Sequence, residues 1–182
     1  DLGLGTCWLG GSFTKSSFAR KISARSDELI PAVASVGYIA GRPRRIDSLI
    51  RRGAGSDKRL PWPKLFFAGS FDTPLTTRAA DAYALPLEMV RLGPSASNKQ
   101  PWRIVRDGAT WHFFLQRTSG YNERRRVRTW TVADMQRLDM GIAMCHFEQT
   151  ARELELAGRW EMDEPDLRGL GELTEYTASW VG

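Results

Sequence analysis

Apolar residues in the second half of the chain recur at the spacing of an amphipathic helix. Between residues 131 and 156 they lie near one stripe, which consists of Met135, Leu138, Ile142, Cys145, Thr150 and Leu154. Residues three or four positions apart share one face of a helix, and Gly158 follows as a stop signal. The pattern predicts the clearest helix of the chain, central in the fold and buried along this stripe.

Shorter runs of apolar and β-branched residues predict strands. Residues 30–40, IPAVASVGYIA, are typical of a core strand. Residues 101–117 form two β-rich runs, and Asp107 and Gly108 between them predict a hairpin turn. The sequence RWEMD at residues 159–163 predicts a further strand, whereas the Gly-rich tail after it has no clear pattern.

Three further segments have helical patterns. Thr14 is a candidate N-cap for the segment KSSFARKI, and the basic segment RIDSLIRR follows the first predicted strand. In residues 76–93 the pattern predicts two helical pieces that are separated at Pro86, with Gly93 as the stop. The polar residues after Gly93 therefore follow a helix directly.

The middle of the chain predicts a boundary. Residues 53–63, GAGSDKRLPWP, are rich in Gly, Ser and Pro, which is typical of a connector rather than an element. We therefore divide the chain into a first unit at residues 1–55, a connector at 56–75, and a second unit with a tail at 76–182.

A weak internal repeat relates the two units. Residues 1–8, DLGLGTCW, align without gaps on residues 153–160, ELELAGRW, and match an acid, two Leu and a Trp at equal spacing. Each segment is typical of a helix end that turns into a strand, which indicates a duplication, although a match this short can also arise by chance. Under this hypothesis the first unit is the C-terminal part of the first repeat. The chain also starts without Met, so we expect a further segment to precede it.

Composition and charge argue against a membrane protein and a zinc site, and they favour an anionic ligand. The chain has 182 residues, of which 42% are hydrophobic, and it lacks an apolar run of membrane-helix length, so we expect no membrane span. Cys7 and Cys145 lie far apart without a metal-ligand spacing, which favours free thiols in the cytosol over a zinc site. The net charge of +5 includes short Arg-rich clusters, which suit a phosphate ligand as well as nucleic acid.

The polar turn GPSASNKQPWR, residues 93–103, is the first candidate for chemistry. Its prolines fix φ and remove backbone donors, while Ser95, Ser97 and Asn98 offer short polar side chains. Such a turn can present polar atoms to a planar ligand. The alternative is an ordinary turn between a helix and a strand, in which these residues are used for local reasons.

Two other segments are candidate parts of the same site. Gly10 and Gly11 lack Cβ atoms, so their backbone can approach a ligand edge closely. Arg42 and Arg44 flank a proline and can direct two guanidinium groups at one phosphate. An ordinary glycine loop and a solvated basic turn are the respective alternatives.

These segments together resemble the nitroreductase family of flavoproteins, and specifically its fused branch that is often called putative TM nitroreductase. The resemblance lies in DLGLGTCWLGGSF, VGYIAGRPRR, PLEMVRLGPSASNKQPWRIV and DMGIAMCHFEQTARELEL, which together cover most of the chain. It implies an α+β fold with a mixed or antiparallel sheet flanked by helices. It also implies a pseudo-dimer, in which two subunit-like halves lie in one chain.

Family analogy further implies FMN as the cofactor and assigns residues to it. The polar turn would form one wall of the FMN site, the glycine segment would approach the N5/O4 edge of the ring across a cleft, and the two arginines would hold the phosphate. The residues so assigned are Leu9, Gly10, Gly11, Arg42, Arg44, Pro94, Ser95, Ala96, Asn98 and Gln100. The counterpart of the glycine segment in the second repeat, EMDEP, lacks glycines, so we expect one complete site per chain.

The implied activity is that of an FMN-dependent oxidoreductase, which transfers electrons from NAD(P)H to a small organic acceptor. Because the flavin carries this chemistry, the protein needs no catalytic acid or nucleophile, and we assign neither a catalytic residue nor a metal. We interpret His112, His146 and Cys7 as structural residues, and we expect a cytoplasmic protein that is monomeric when complete.

Two alternatives to this activity come from other classes. The first is a flavin-binding or structural relative without turnover. The second is a basic nucleic-acid binder, which would need arginine and aromatic residues on one face. The aromatic residues fall mostly in apolar strand and helix patterns instead, which disfavours this second alternative.

Overall fold

The computed structural model describes residues 2–10, 15–25, 27–28, 30–39, 53, 55–120 and 133–182. Thr14, the helix predicted from RIDSLIRR, and the predicted site residues Gly11, Arg42 and Arg44 lie outside the described residues. Within the described ranges, none of the helices is both long and apolar enough to cross a membrane.

The described residues form short strands, α-helices and 3-10 turns. The strands are β1 (Leu4–Leu9), β2 (Val33–Tyr38), β3 (Phe66–Ala68), β4 (Ser70–Pro74), β5 (Trp102–Asp107), β6 (Thr110–Gln116), β7 (Arg159–Glu161) and β8 (Thr174–Val181). The α-helices are α1 (Lys15–Lys21), α2 (Thr77–Ala80), α3 (Ala84–Leu92) and α4 (Met135–Glu153). Short 3-10 turns are formed by Trp62–Lys64, Asp81–Tyr83 and Ala96–Asn98.

A mixed sheet of six strands organises the larger part of the structure. Its order is β4-β3-β5-β6-β8-β7; β3 runs parallel to β5, and the other neighbouring strands are antiparallel. Helix α4 contacts β5, β6 and α3, so helices flank the sheet. This is the predicted α+β fold with a mixed sheet.

The predicted hairpin at Asp107 and Gly108 is confirmed. Asp107 pairs with Thr110 at the end of the β5–β6 ladder, and Gly108 has a φ of +59°, a left-handed conformation that glycine adopts easily. The predicted strand β7 is also confirmed. Strand β8 lies in the tail that showed no clear pattern, and it is stabilised by pairing with β6 on one edge and β7 on the other.

The core lies between the sheet and α4. Three aromatic side chains of the sheet, Trp111, Phe113 and Trp180, surround Phe147 of α4 with ring centroids 5.2 to 6.1 Å from its own. Ala143 on the same face of the helix is fully buried, and its small side chain lets the rings pack closely. Burial of one such aromatic side chain contributes about 1.5–3 kcal/mol to the free energy of unfolding.

Helix α4 confirms the predicted long helix but only part of its predicted buried stripe. Met135 and Ile142 are buried as expected, whereas Cys145 and Leu154 are exposed. The buried face consists of Met135, Gln136, Asp139, Met140, Ile142, Ala143, Phe147 and Ala151. The stripe was wrong at Cys145 and Leu154 because the helix presents its small residues and its phenylalanine to the aromatic core of the sheet.

The strand predicted within residues 30–40 is present, but it is not a core strand. Strand β2 pairs antiparallel with β1 in a separate two-stranded sheet, in a register that runs from Leu4↔Tyr38 to Leu9↔Val33. Val36 is 65% exposed and Tyr38 is 83% exposed. The core assignment was wrong because a β-branched apolar run specifies a strand without specifying what packs on it.

The helical region after residue 76 breaks at Asp81 rather than at Pro86. Asp81 has a φ of 51°, which is incompatible with a continuous helix, and it separates α2 from α3. Pro86 lies in the first turn of α3, where a missing N–H costs no intrahelical hydrogen bond. The predicted stop at Gly93 is confirmed, since this residue has a ψ of 147°.

The segment predicted as a connector, residues 56–75, contributes two strands to the sheet. Strands β3 and β4 lie within it, and β3 forms a parallel ladder with β5 that begins at Phe66↔Ile104. Both Phe66 and Ile104 are fully buried. The Gly, Ser and Pro content that indicates a connector ends at Pro63, and the short apolar run after it supplies β3.

The two segments of the internal repeat share a backbone feature. Gly3 and Glu155 occupy the same position in the alignment, and both are left-handed, with φ angles of 63° and 59°. Each precedes a strand that contains the aligned tryptophan, Trp8 in β1 and Trp160 in β7. The duplication of residues 1–8 and 153–160 stays a prediction.

Candidate functional site

The turn between α3 and β5 has a strained backbone. Ser97, Asn98 and Gln100 have left-handed φ angles of 52°, 52° and 48°. Non-glycine residues adopt this region rarely, at a cost of about 1 kcal/mol or more each, and they keep it only where the surrounding structure holds them. Strain of this kind concentrates at ligand sites, which makes the turn a candidate wall of a binding site.

Two carboxamides of the turn bond to the segment before β3. The Nδ2 group of Asn98 donates to the carbonyl oxygen of Gly55 at 2.6 Å and to that of Lys58 at 2.9 Å. The Oε1 atom of Gln100 accepts from the backbone N–H of Leu60 at 2.7 Å. Asn98 and Gln100 were assigned to the flavin from the sequence, and the structure commits both carboxamides to the chain itself. These partners lie 40 to 43 residues away in sequence, so the two carboxamides fix the turn to a distant segment of the chain.

Ser95 and Ala96 fix the start of the turn. The Ser95 hydroxyl accepts from the backbone N–H of Gln100 at 2.8 Å, and the N–H of Ala96 donates to Oδ1 of Asp139 at 2.9 Å. The turn is therefore held both by its own residues and by α4. The exposed residues that it presents to solvent are Pro94, Ser97 and Lys99.

Asp139 is a buried carboxyl group directly behind the turn. It is 1% exposed, and its Oδ2 atom has no hydrogen-bond partner among the described residues. Burial raises the pKa of Asp139 to about 7, the bond from Ala96 opposes this rise, and the negative charge of Asp134 adds to it. Asp139 therefore exchanges its proton near neutral pH.

The end of β1 approaches the same helix. A Cβ atom on Gly10 would lie 2.8 Å from the Sδ atom of Met135, so the backbone of Gly10 is in close contact with this side chain. Leu9, the last residue of β1, directly precedes Gly10 and is half-buried. Met135 and Asp139 are one turn apart on α4 and share a face. The structure thus brings Gly10 and Ala96 to the first two turns of one helix.

Arg59 and Asp139 were not identified from the sequence. The Nη1 group of Arg59 donates to the carbonyl oxygen of Ser56 at 2.6 Å, and its Nη2 group donates to that of Leu92 at 3.1 Å. Arg59 therefore ties the segment before β3 to the end of α3. Asp139 directly precedes Met140 on the apolar face of the predicted helix, and an aspartate at such a position is a sequence signal that could have identified it. No local pattern marks Arg59.

Both histidines bond to protein atoms, as their interpretation as structural residues predicts. Nδ1 of His112 lies 2.7 Å from Oγ of Ser179, and burial lowers the pKa of His112. Nδ1 of His146 lies 3.1 Å from the carbonyl oxygen of Met89. Cys7, also interpreted as a structural residue, is a free thiol and is exposed on β1. In the part of the chain that the structure describes, no cluster of His, Cys, Asp and Glu is arranged to hold a metal ion.

Comparison with known proteins relates the chain to a family. The family model described as putative TM nitroreductase matches residues 1–151. The chain belongs to this family. Among solved structures, a putative nitroreductase from Thermotoga maritima is similar, with 21% identity and a TM-score of 0.55 over 98% of this chain and 56% of that chain. The likeness shows a shared fold, and this chain spans little more than half of the Thermotoga maritima protein. No curated protein matches the chain.

Membership of the putative TM nitroreductase family confirms the resemblance that the sequence motifs carry. The matched residues, 1–151, include β1, the turn after α3 and nearly all of α4. Strands β7 and β8 follow the matched part. The family model is described as a putative nitroreductase, and the Thermotoga maritima structure shows that the fold is shared.

Proposed function

We propose that this chain forms part of an FMN-dependent oxidoreductase of the nitroreductase type, in which FMN binds between the end of β1 and the turn at residues 94–100. The observation that carries the proposal is that Gly10 and the strained turn meet the first two turns of α4. FMN would accept a hydride from NAD(P)H and pass the electrons to a small organic acceptor.

The described residues fit a flat cofactor. The Met135 side chain fills the space that a Cβ atom of Gly10 would take, so the edge of a ring would approach the backbone of Gly10 from another side. The turn opposite is held by bonds to Gly55, Leu60 and Asp139, which fix its shape before a ligand arrives. A rigid wall lowers the entropic cost of binding, because fewer groups become ordered with the ligand.

The residues of the turn have two proposed roles. Pro94 and Ser97 form its exposed face and would contact the flavin together with the backbone of Ala96. Asn98 and Gln100 would hold that face in place, since their carboxamides already bond to the chain. The wall then contributes orientation of the ring and its access to nicotinamide rather than a proton donor or a nucleophile.

Three proposed contacts come from residues outside the described part of the chain. Gly11 follows Gly10 directly and would extend the close approach to the N5/O4 edge of the flavin. Arg42 and Arg44 would hold the FMN phosphate, because guanidinium groups bind phosphate through two parallel hydrogen bonds.

The assembly and the compartment are also proposals. The matching left-handed residues Gly3 and Glu155 support a duplicated, pseudo-dimeric protein that is monomeric when complete. The free thiols of Cys7 and Cys145 are exposed, which suits a reducing compartment such as the cytosol.

The absorbance spectrum of the purified intact protein tests the proposed function. We expect one equivalent of bound FMN per chain. Anaerobic titration with NADH and with NADPH should bleach the flavin absorbance, and an added nitroaromatic or quinone acceptor should restore it. Bound FMN that neither nicotinamide bleaches would indicate a flavin-binding relative without turnover. A protein that neither purifies with FMN nor binds added FMN contradicts the proposal.

A further inference from the structure

Asp139 has a position that neither electron transfer nor stability explains. Its Oδ1 atom accepts from the N–H of Ala96 at 2.9 Å, while its Oδ2 atom is buried without a partner among the described residues. Burying an ionisable group without full pairing is unfavourable for folding. The unpaired Oδ2 atom therefore needs an explanation other than stability.

The bond to Ala96 acts where the backbone of the turn becomes left-handed. Ser97 and Asn98 follow directly, both with a φ of 52°. Residues in this conformation relax unless they are tied on more than one side. The carboxamide of Asn98 ties the turn to the segment before β3, and Asp139 ties it to α4.

We propose that Asp139 is a positioning residue that holds the turn at residues 94–100 in its ligand-binding shape, and that ionisation of its carboxyl group sets the strength of this hold. The carboxylate accepts a stronger hydrogen bond from Ala96 than the neutral acid does. Burial disfavours the charged form by more than this bond favours it, so ionisation weakens the hold. The inference rests on the proposed FMN site for its ligand, whereas the hold itself is a property of the chain. Met135, one turn earlier on α4, contacts Gly10, so one helix end supports both walls.

The surroundings of Asp139 place its ionisation in the neutral range. Burial raises its pKa to about 7, against the effect of Ala96 and together with that of Asp134. Asp134 is itself paired with Arg117 at 2.7 Å. Other titratable or charged groups lie on the elements that contact α4, namely Glu88 and Arg91 of α3, Lys99 of the turn, Arg103, Arg106 and Asp107 of β5, and His112 of β6. Those on α4 itself are Arg137, Cys145, His146, Glu148, Arg152 and Glu153.

Hydrogen exchange of the Ala96 amide in the intact protein measures the hold directly. Asp139→Asn keeps an acceptor oxygen but cannot ionise, and Asp139→Ala removes the acceptor. Glu153→Gln is the matched control, since it removes a carboxylate from the exposed last turn of the same helix. After correction for intrinsic exchange, protection of Ala96 in the wild type should fall about tenfold from about pH 6 to about pH 8, because opening of the turn lets the ionised carboxyl group become hydrated.

The variants separate the possible outcomes. Protection in Asp139→Asn should not change with pH, and Asp139→Ala should lose about tenfold at the lower pH. Glu153→Gln should keep the wild-type fall. An equal fall in Asp139→Asn, or wild-type protection in Asp139→Ala, would overturn the inference. If Asp139→Ala does not fold, the pH dependence of Ala96 protection in the wild type and in Asp139→Asn decides whether Asp139 holds the turn.

FMN affinity distinguishes a positioning role from a merely structural one, because a merely structural residue would not change the pH dependence of FMN binding. Wild-type affinity for FMN should decrease over the same pH range as Ala96 protection, and that of Asp139→Asn should stay flat. Identical pH profiles in the two proteins would show that Asp139 does not position the site. If neither protein binds FMN, the proposed function fails, and Ala96 exchange still decides whether Asp139 holds the turn.

Discussion

Gly10 and Met135 are in direct contact, because a Cβ atom on Gly10 would lie only 2.8 Å from the Met135 sulfur. Carbon and sulfur do not approach this closely, so a side chain at Gly10 must displace the thioether. Methionine is flexible, and it can move at moderate cost by repacking the first turn of α4. This contact joins the β1 wall of the site to the helix that holds the opposite wall.

Substitution of Gly10 should therefore affect FMN more than folding. Gly10→Ala should lower the free energy of unfolding by no more than about 1 kcal/mol, since the methionine can shift. The same change should weaken FMN binding by about tenfold, because it moves a wall of the site. Urea unfolding and fluorescence titration with FMN measure the two effects.

A double-mutant cycle shows whether the contact between Gly10 and Met135 causes the loss of stability in Gly10→Ala. Met135→Ala creates room for the new Cβ atom, so the stability losses of Gly10→Ala and Met135→Ala should be less than additive when combined. Strictly additive losses would mean that the two residues do not interact.

Local signals identified several elements of the fold correctly. Asp107 and Gly108 predicted the hairpin because the conformation of a two-residue turn depends on the residues in it. The stop at Gly93 was predictable for the same reason. Strand β8 was not, because it is stabilised by partners that are distant in sequence, such as Trp111 with Trp180.

The candidate site was predictable in its location rather than in its contacts. The composition of the turn marked it as special, but the partner of Ala96 is Asp139, 43 residues away, and Asn98 bonds to Lys58, 40 residues away. Such contacts depend on how the elements pack. The sequence therefore could not decide whether the Asn98 carboxamide binds a ligand or the chain.

Asn98→Leu should lower the stability of the FMN-free protein. The change removes the donors to Gly55 and Lys58 and places a branched side chain at a φ of 52°. We expect a loss of about 1–3 kcal/mol in the free energy of unfolding. Thermal and urea unfolding of the FMN-free protein check this value.

Asn98→Gly is the matched control for this effect. Glycine tolerates the left-handed backbone, so it loses the hydrogen bonds without the strain and should be less destabilised than the Leu variant. Unchanged melting of Asn98→Leu together with weakened FMN binding would instead support a direct bond from Asn98 to the flavin.

Stability should depend on pH through Asp139. Its pKa is raised to about 7 in the folded protein, whereas an unfolded aspartate titrates near pH 4. The folded chain thus keeps a proton that the unfolded chain releases, and this stabilisation is lost as the pH rises through that interval. The free energy of unfolding of wild type minus that of Asp139→Asn should fall by roughly 3 kcal/mol from about pH 4 to about pH 7. A difference that is constant over this range contradicts the assignment.

Arg42 and Arg44 should distinguish FMN from riboflavin. Replacing both by Ala in the intact protein removes the proposed phosphate ligands, so FMN affinity should fall by about tenfold or more while riboflavin affinity changes little. Titration of both flavins against wild type and variant measures the difference. Equal losses for the two flavins would remove the arginines from the site.

A crystal structure of the intact protein with FMN tests the central claim most directly. We predict the flavin ring between Gly10 and the exposed face of the turn at Pro94 and Ser97, with the N–H of Ala96 still donated to Asp139. FMN bound elsewhere, with this cleft empty and the turn untouched, would contradict the account.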